Sequence, residues 1–244
     1  VAVLAVAFPF YTGAYPQSIA QSVLTYMILA VSWDMLLRTG QISFGIAGFF
    51  GIGSYAAVLS MLYLNLPPML TILIGGIIAG AIAGLLGIAV LRLRGMYFAI
   101  VTLAVAEIFR IIMTNLKGFT GGPEGELLPQ LIFQGNPYLT YYLMFGMAVL
   151  TIIISEIFLR SRVHYALTAI RNDEIVARSS GVNIFKYLVI IFIVTSVIQG
   201  MTGGINAQTY GFVTPESSFS LDYTLLPLAM ALLGGIYGTM GPVV

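Results

Sequence analysis

The sequence predicts an all-α fold, a polytopic transmembrane helical bundle of about seven to eight spans. Three observations carry that expectation: an apolar composition, long unbroken apolar runs, and basic residues confined to alternate connectors. Of the 244 residues, 59% are hydrophobic and only 8% are charged, and the mean hydropathy is +1.00. Soluble domains carry about 25% charged residues, so water is not the solvent for most of this surface. The apolar runs reach the ~20 residues that cross a hydrocarbon core as a helix. Membrane β-strands would instead alternate in hydrophobicity over ~10 residues.

In chain order the expected spans are Val1–Phe10, Ser18–Leu37, Ile42–Leu64, Met69–Leu91, Met96–Leu116, Tyr138–Leu159, Ile184–Ala207 and Tyr223–Val244. The first and last are incomplete. Val1–Phe10 lacks an initiator Met and a basic leader region, and the chain stops inside an apolar run at Gly241–Val244, so a fragment of a longer protein is expected. The connectors are Tyr11–Gln17, Arg38–Gln41, Asn65–Pro68, Arg92–Gly95, Lys117–Pro137, Arg160–Asn183 and Gln208–Asp222. Alternate connectors hold Arg38, Arg92, Arg94, Arg160, Arg162, Arg171 and Arg178, with Lys186 just beyond. The opposite set holds Lys117 and the acids Glu124, Glu126, Glu216 and Asp222. Basic loops stay in the cytoplasm, so the first set faces inward.

Several functions are excluded at this stage. There is no cysteine, and His164 is a lone histidine, so neither a catalytic cluster nor a metal site is expected. The spans hold no chain of carboxylates and histidines such as a proton relay needs. No G-x-x-x-x-G-K-[ST] phosphate loop occurs, so ATP-driven work would require a separate ATPase chain. Membrane lipid is the expected surrounding, and no nucleic-acid partner is expected.

The polar and small residues inside the spans are the candidate working parts. Gly76, Gly80 and Gly84 form a stripe at four-residue spacing, the pattern of close helix packing. Gly45, Gly48, Gly51 and Gly53 crowd another span and fit either packing or an irregular backbone beside a pathway. Glu107 and Arg110 share a helix face, as a structural ion pair or as transport residues. Asp34 lies one turn before Arg38, an arrangement that favours a structural pair. A pocket for a small neutral solute needs apolar walls and a few polar groups. The pathway candidates are Gln41, Ser43, Gly45, Gly48, Thr102, Glu107 and Asn206, with Gln208 a further polar group.

The loop Arg160–Asn183 is the one substantial charged connector. Asn172 can cap a short helix over about 173–180, with Asp173 and Glu174 in its first turn. Arg178 follows Glu174 at i,i+4, and Gly181 supplies a stop. Such a segment is either a solvated connector or a docking element for a partner.

Several stretches together resemble the permease subunits of ABC importers for branched-chain amino acids, specifically the longer of the two permease types. They are Ser-Trp-Asp-Met-Leu-Leu-Arg-Thr-Gly-Gln-Ile-Ser-Phe-Gly-Ile-Ala-Gly-Phe-Phe-Gly-Ile-Gly-Ser-Tyr over 32–55 and Gly-Met-Tyr-Phe-Ala-Ile-Val-Thr-Leu-Ala over 95–104, leading to Glu107. Next come Phe-Thr-Gly-Gly-Pro-Glu-Gly over 119–125 and Ala-Ile-Arg-Asn-Asp-Glu-Ile-Val-Ala-Arg-Ser-Ser-Gly-Val-Asn over 169–183. Tyr-Gly-Phe-Val-Thr-Pro-Glu-Ser over 210–217 and Leu-Gly-Gly-Ile-Tyr-Gly-Thr-Met-Gly-Pro over 233–242 complete the set. The resemblance implies the ABC importer permease fold in a single permease domain over 1–244. It makes the 160–183 loop a coupling helix, with Asn172, Asp173, Glu174, Arg178 and Gly181 at the ATPase contact.

The resemblance further implies a second permease subunit, two ATP-binding subunits carrying ATP and Mg, and a periplasmic or extracellular substrate-binding protein. It implies a small amino acid as cargo, no cofactor on this chain, no enzymatic activity, and a bacterial or archaeal plasma (inner) membrane. Ile46 stands where relatives often have His, Glu124 where Asn is usual, and Leu37–Arg38 where Gly and an uncharged residue are usual. Urea and short amides are therefore the alternative cargo, and a stand-alone secondary transporter or channel is the alternative class.

Overall fold

The computed structural model describes residues 8, 9, 11, 13–161, 183–236, 238, 239 and 241–243. Seven long helices organise them: α1 (Ala14–Leu37), α2 (Ile46–Leu64), α3 (Pro68–Val90), α4 (Met96–Asn115), α5 (Pro137–Arg160), α6 (Ile184–Tyr210) and α7 (Asp222–Gly234). Among the described residues, α1 to α6 are long and apolar enough to cross a membrane. The chain is thus a helical multi-pass membrane protein.

Local chemistry sets the helix limits. Pro68 and Pro137 sit in the first turns of α3 and α5, where a missing N–H costs nothing. The Asn136 side chain accepts the Tyr138 amide at 3.0 Å, and the Asn183 side chain accepts the Lys186 amide at 3.1 Å. Asn65 ends α2 in the left-handed region at φ 50°, and Gly211 ends α6 at φ 77°. The expected span Val1–Phe10 lies outside the described residues except for positions 8 and 9; the other ends match the expected spans within a few residues at all but two places. The expected span Ile42–Leu64 begins as a helix only at Ile46, because a turn with Gly40 at φ 83° and a non-helical run to Gly45 precede it. The expected span Tyr223–Val244 stops at Gly234, because Gly235 takes φ 110° and the chain folds back. Gly241 then packs against Gly234 and Gly235 so closely that a side chain on it would overlap their backbone.

The core is a glycine-interlocked trio, α2, α3 and α6. The stripe Gly76, Gly80, Gly84 lies along α6, its members facing Met201, Val197 and Ile193 in turn. Across the trio, Gly53 abuts the Gly200 backbone and Gly203 abuts the Phe50 carbonyl, with no room for a methyl at either. A Cβ on Gly75 would come within 2.6 Å of the Gly53 carbonyl. With lipid tails as apolar as leucine, such close backbone approach is what holds membrane helices together.

A second unit pairs α1 with α5, and α7 closes against α1 and α2. Tyr223 of α7 stacks on Phe50 with ring centroids 4.0 Å apart. On the outer side, a two-residue antiparallel pair joins the connectors, Glu126 opposite Val213 and Leu127 opposite Phe212. The two outer loops therefore form one cap.

Candidate functional site

The inner end of α1 carries a sealed polar network. Arg38 and Asp34 are both 0% exposed and paired, with Arg38 Nε donating to Asp34 Oδ2 at 2.7 Å. Arg38 Nη2 also reaches Thr239 Oγ1 at 3.4 Å, and Thr239 bonds Ser155 at 3.0 Å. In the connector Arg38–Gln41, expected in water, Arg38, Thr39 and Gln41 are buried instead. The pair neutralises its own charge, so the segment packs under α5 and the returning C-terminal residues. The exposed inner charges described here are Arg92, Arg160 and Lys186.

Four pathway candidates meet where α2 begins. Thr102 Oγ1 accepts the Phe44 amide at 3.0 Å and donates to the Ala99 carbonyl at 2.9 Å. Ser43 Oγ accepts the Gly45 amide at 3.2 Å, and the Ser43 carbonyl accepts the Trp33 indole N–H at 2.8 Å. A Cβ on Gly45 would lie 3.3 Å from Thr102, and one on Gly48 would lie 3.0 Å from Ala106. Ser43, Gly45, Gly48 and Thr102 are thus brought together as the contact between α2 and α4. The cavity left there is about 10 Å³, lined by Gly45, Gly48, Thr102 and apolar neighbours. That is room for one water at most.

Gln41, Asn206 and Glu107 lie elsewhere. Gln41 is 1% exposed, and neither polar atom of its side chain has a hydrogen-bond partner among the described residues. Asn206 is half-buried near the outer end of α6. Glu107 occupies the outward face of α4, which is the least buried of the six spans. It is paired with Arg110, whose Nε donates to Glu107 Oε2 at 2.9 Å and whose Nη2 donates to Oε1. These side chains are 51% and 38% exposed. Glu107 lies eight residues from the end of α4, ~12 Å below it at 1.5 Å per residue, hence within the hydrocarbon depth. The arrangement is the ion pair the sequence suggested, turned away from the chain's own core.

Sequence reasoning missed the wedge at the outer end. Phe219 is 4% exposed and fits against Gly51, where a Cβ would meet its ring at 2.5 Å. It also stacks at 6.1 Å on Tyr55. A large aromatic flanked by Ser217, Ser218 and Ser220 was the available signal. On the same side, an open cleft of about 490 Å³ lies between α1, α5 and α6, with Ser18, Gln21, Thr140 and Tyr210 among its lining. Its size suits a small solute. The docking candidates Asn172, Asp173, Glu174, Arg178 and Gly181 lie outside the described residues.

Comparison with known proteins places this architecture. The family model described as "Branched-chain amino acid transport system / permease component" matches residues 15–244. The chain belongs to this family. A high-affinity branched-chain amino acid transport system permease protein LivM of Escherichia coli (strain K12) is 32% identical over 263 residues, covering 96% of this chain and 62% of the relative. The corresponding LivM of Salmonella typhimurium is 31% identical with the same coverage. A probable branched-chain amino acid transport permease protein LivM of Methanocaldococcus jannaschii is 28% identical over 82% of this chain. This chain spans 62% of the length of the relatives it matches. No solved structure matches it. In this member of the branched-chain permease family, the glycine trio is the most tightly packed part and α4 the least buried span.

Proposed function

We propose that this chain is the transmembrane permease subunit of an ABC importer that moves branched-chain or other small neutral amino acids into the cytoplasm. It is a transport subunit of the plasma (inner) membrane, not an enzyme. The observation that carries this reading is the family match over residues 15–244 on a chain with six apolar spans among its described residues and no phosphate loop in its sequence. ATP and Mg belong to two partner ATPase subunits, which dock on the 160–183 loop through Asn172, Asp173, Glu174, Arg178 and Gly181. A substrate-binding protein delivers cargo to the outer cap, and a second permease subunit completes the passage.

The packing supports a division of labour. The trio α2, α3 and α6 is interlocked through backbone contacts, whereas α4 rests on α2 through Gly45, Gly48, Thr102 and Ala106. Small residues there let α4 slide or part from α2 without dragging side chains through each other. In the proposed cycle ATP-driven closure of the partners moves α4 and the Phe219 wedge relative to the trio. Gln41, Ser43, Gly45, Gly48, Thr102, Glu107 and Asn206 then line the opened passage.

The test is ATP-driven uptake by the full assembly in proteoliposomes, with labelled leucine against labelled urea. Leucine uptake that requires both ATPase and binding protein supports the reading; urea uptake in its place moves the cargo to amides. A chain that carries solute without ATPase subunits would be a secondary transporter or channel. The double variant Glu174→Ala/Arg178→Ala should uncouple transport with membrane assembly retained, and undiminished uptake in it would remove the docking assignment.

A further inference from the structure

Two ion pairs lie within spans among the described residues, and they differ in one respect that matters. Asp34–Arg38 is sealed from every side. Glu107–Arg110 is open, on a helix whose other outward residues, Leu103, Ile108 and Ile111, are large and apolar. Ionisable groups at membrane depth face protein or water-filled space, because lipid cannot solvate them. The outward face of α4 is therefore covered by a passage or by protein lining one. Glu216 of the outer cap lies within electrostatic range of Arg110, but the hydrogen bonds of the Arg110 guanidinium go to Glu107. Helix side chains lean toward the N-terminus, which in α4 is the inner end, and Arg110 accordingly reaches back toward Glu107.

The hydrogen bonding leaves capacity on both partners. Arg110 engages Glu107 through Nε and Nη2, so its Nη1 edge has no partner among the described residues. A guanidinium can hold a second carboxylate along that edge, end-on and in fork geometry. Glu107 Oε2 accepts one bond, from Arg110 Nε at 2.9 Å, and keeps acceptor capacity for an ammonium. One positive and one negative group thus stand side by side with open valences on the same face. We propose that Glu107 and Arg110 form the contact that reads the zwitterionic head of an α-amino acid in transit, Arg110 taking the carboxylate and Glu107 the ammonium. This rests on the importer reading above and deepens it. It also explains how a zwitterion passes an apolar face of α4, where neither of its charges would otherwise be compensated. Urea and amides, carrying no charge, need no such pair.

The test uses the full importer in proteoliposomes and labelled leucine, comparing Glu107→Gln, Arg110→Gln, the double variant Glu107→Gln/Arg110→Gln and Arg110→Lys. Each single neutralisation is expected to lower maximal uptake about tenfold or more, the scale of a lost charge-assisted contact. The half-saturating leucine concentration, set by the binding protein, stays in place, as does recovery of the co-purified subunits. Arg110→Lys, which keeps the cation, recovers part of the loss, and the double variant transports no better than either single. A pair with a purely structural role behaves oppositely. Removing one partner leaves an uncompensated charge while removing both relieves it, so a double variant with near-normal uptake overturns the inference. Uptake that falls only in step with subunit recovery overturns it too. If the unaltered importer carries no amino acid at all, the cargo reading fails and takes this inference with it. Normal uptake by the unaltered importer beside a normal double variant removes the inference alone.

Discussion

Taking an isolated charge out of water costs several kcal/mol, so a fully buried pair stands or falls together. Asp34 and Arg38 are such a pair at the inner end of α1. Among the described residues Arg38 Nη1 has no hydrogen-bond partner, and the Asp34 carboxylate and Thr239 compensate that guanidinium. Asp34→Ala or Arg38→Ala is expected to destabilise the protein by about 3–5 kcal/mol, because each breaks a buried ion pair by removing one member. The apolar double variant Asp34→Leu/Arg38→Met should recover most of that loss. Thermal unfolding of the detergent-purified protein measures both effects, and single variants that melt with the wild type would contradict the sealed-pair picture. Thr239→Val, which removes only the long 3.4 Å contact and the bond to Ser155, should cost about 1 kcal/mol.

Among the elements, glycines of α2, α3 and the outer connector rank by what each meets. Gly53 meets backbone, the Gly200 peptide, which cannot move aside; Gly76 meets the flexible Met201 side chain; Gly118 has open space. The recovery of monodisperse protein after Gly→Ala substitution should follow that order, with Gly53→Ala nearly lost, Gly76→Ala reduced and Gly118→Ala unchanged. An overpacked core typically costs 1–3 kcal/mol, and more where backbone resists. Equal recovery of Gly53→Ala and Gly118→Ala would mean the trio is not interlocked as described. The stripe Gly76–Gly84 was legible in the sequence because helical periodicity puts i and i+4 on one face, and one face meets one neighbour. The cluster Gly45–Gly53 was not, because its members meet three different neighbours: α4, the outer Phe219 and α6. Sequence spacing carries no record of such partners. For the same reason Ile42–Phe44 read as the start of an apolar span, although the backbone there is not helical and is held by Trp33 and Thr102 from other helices.

At the scale of the whole molecule, the decisive quantity is which side each connector faces. Removing Arg38 from the water-exposed set leaves the inward assignment to Arg92, Arg94, Arg160 and Lys186 among the described residues. The charge asymmetry survives, since the outer cap keeps Glu124, Glu126, Glu216 and Asp222 against Lys117. The chain has no cysteine, so a single introduced thiol reports its own position without background. In intact cells, a membrane-impermeant maleimide should label Leu127→Cys, which is 77% exposed on the outer cap. Arg92→Cys and Arg160→Cys lie in separate inner connectors and should label only after permeabilisation. Labelling of Arg92→Cys from outside would invert the topology, and opposite behaviour of positions 92 and 160 would break the span count between them. Glu107→Cys adds a depth measurement to the same series. A thiol facing hydrocarbon stays protonated and unreactive, whereas one lining a hydrated passage forms thiolate and reacts. Position 107 should therefore label slowly in the resting assembly and faster when ATP and loaded binding protein are supplied. A rate that ignores both would place the outward face of α4 against lipid or static protein rather than along the passage.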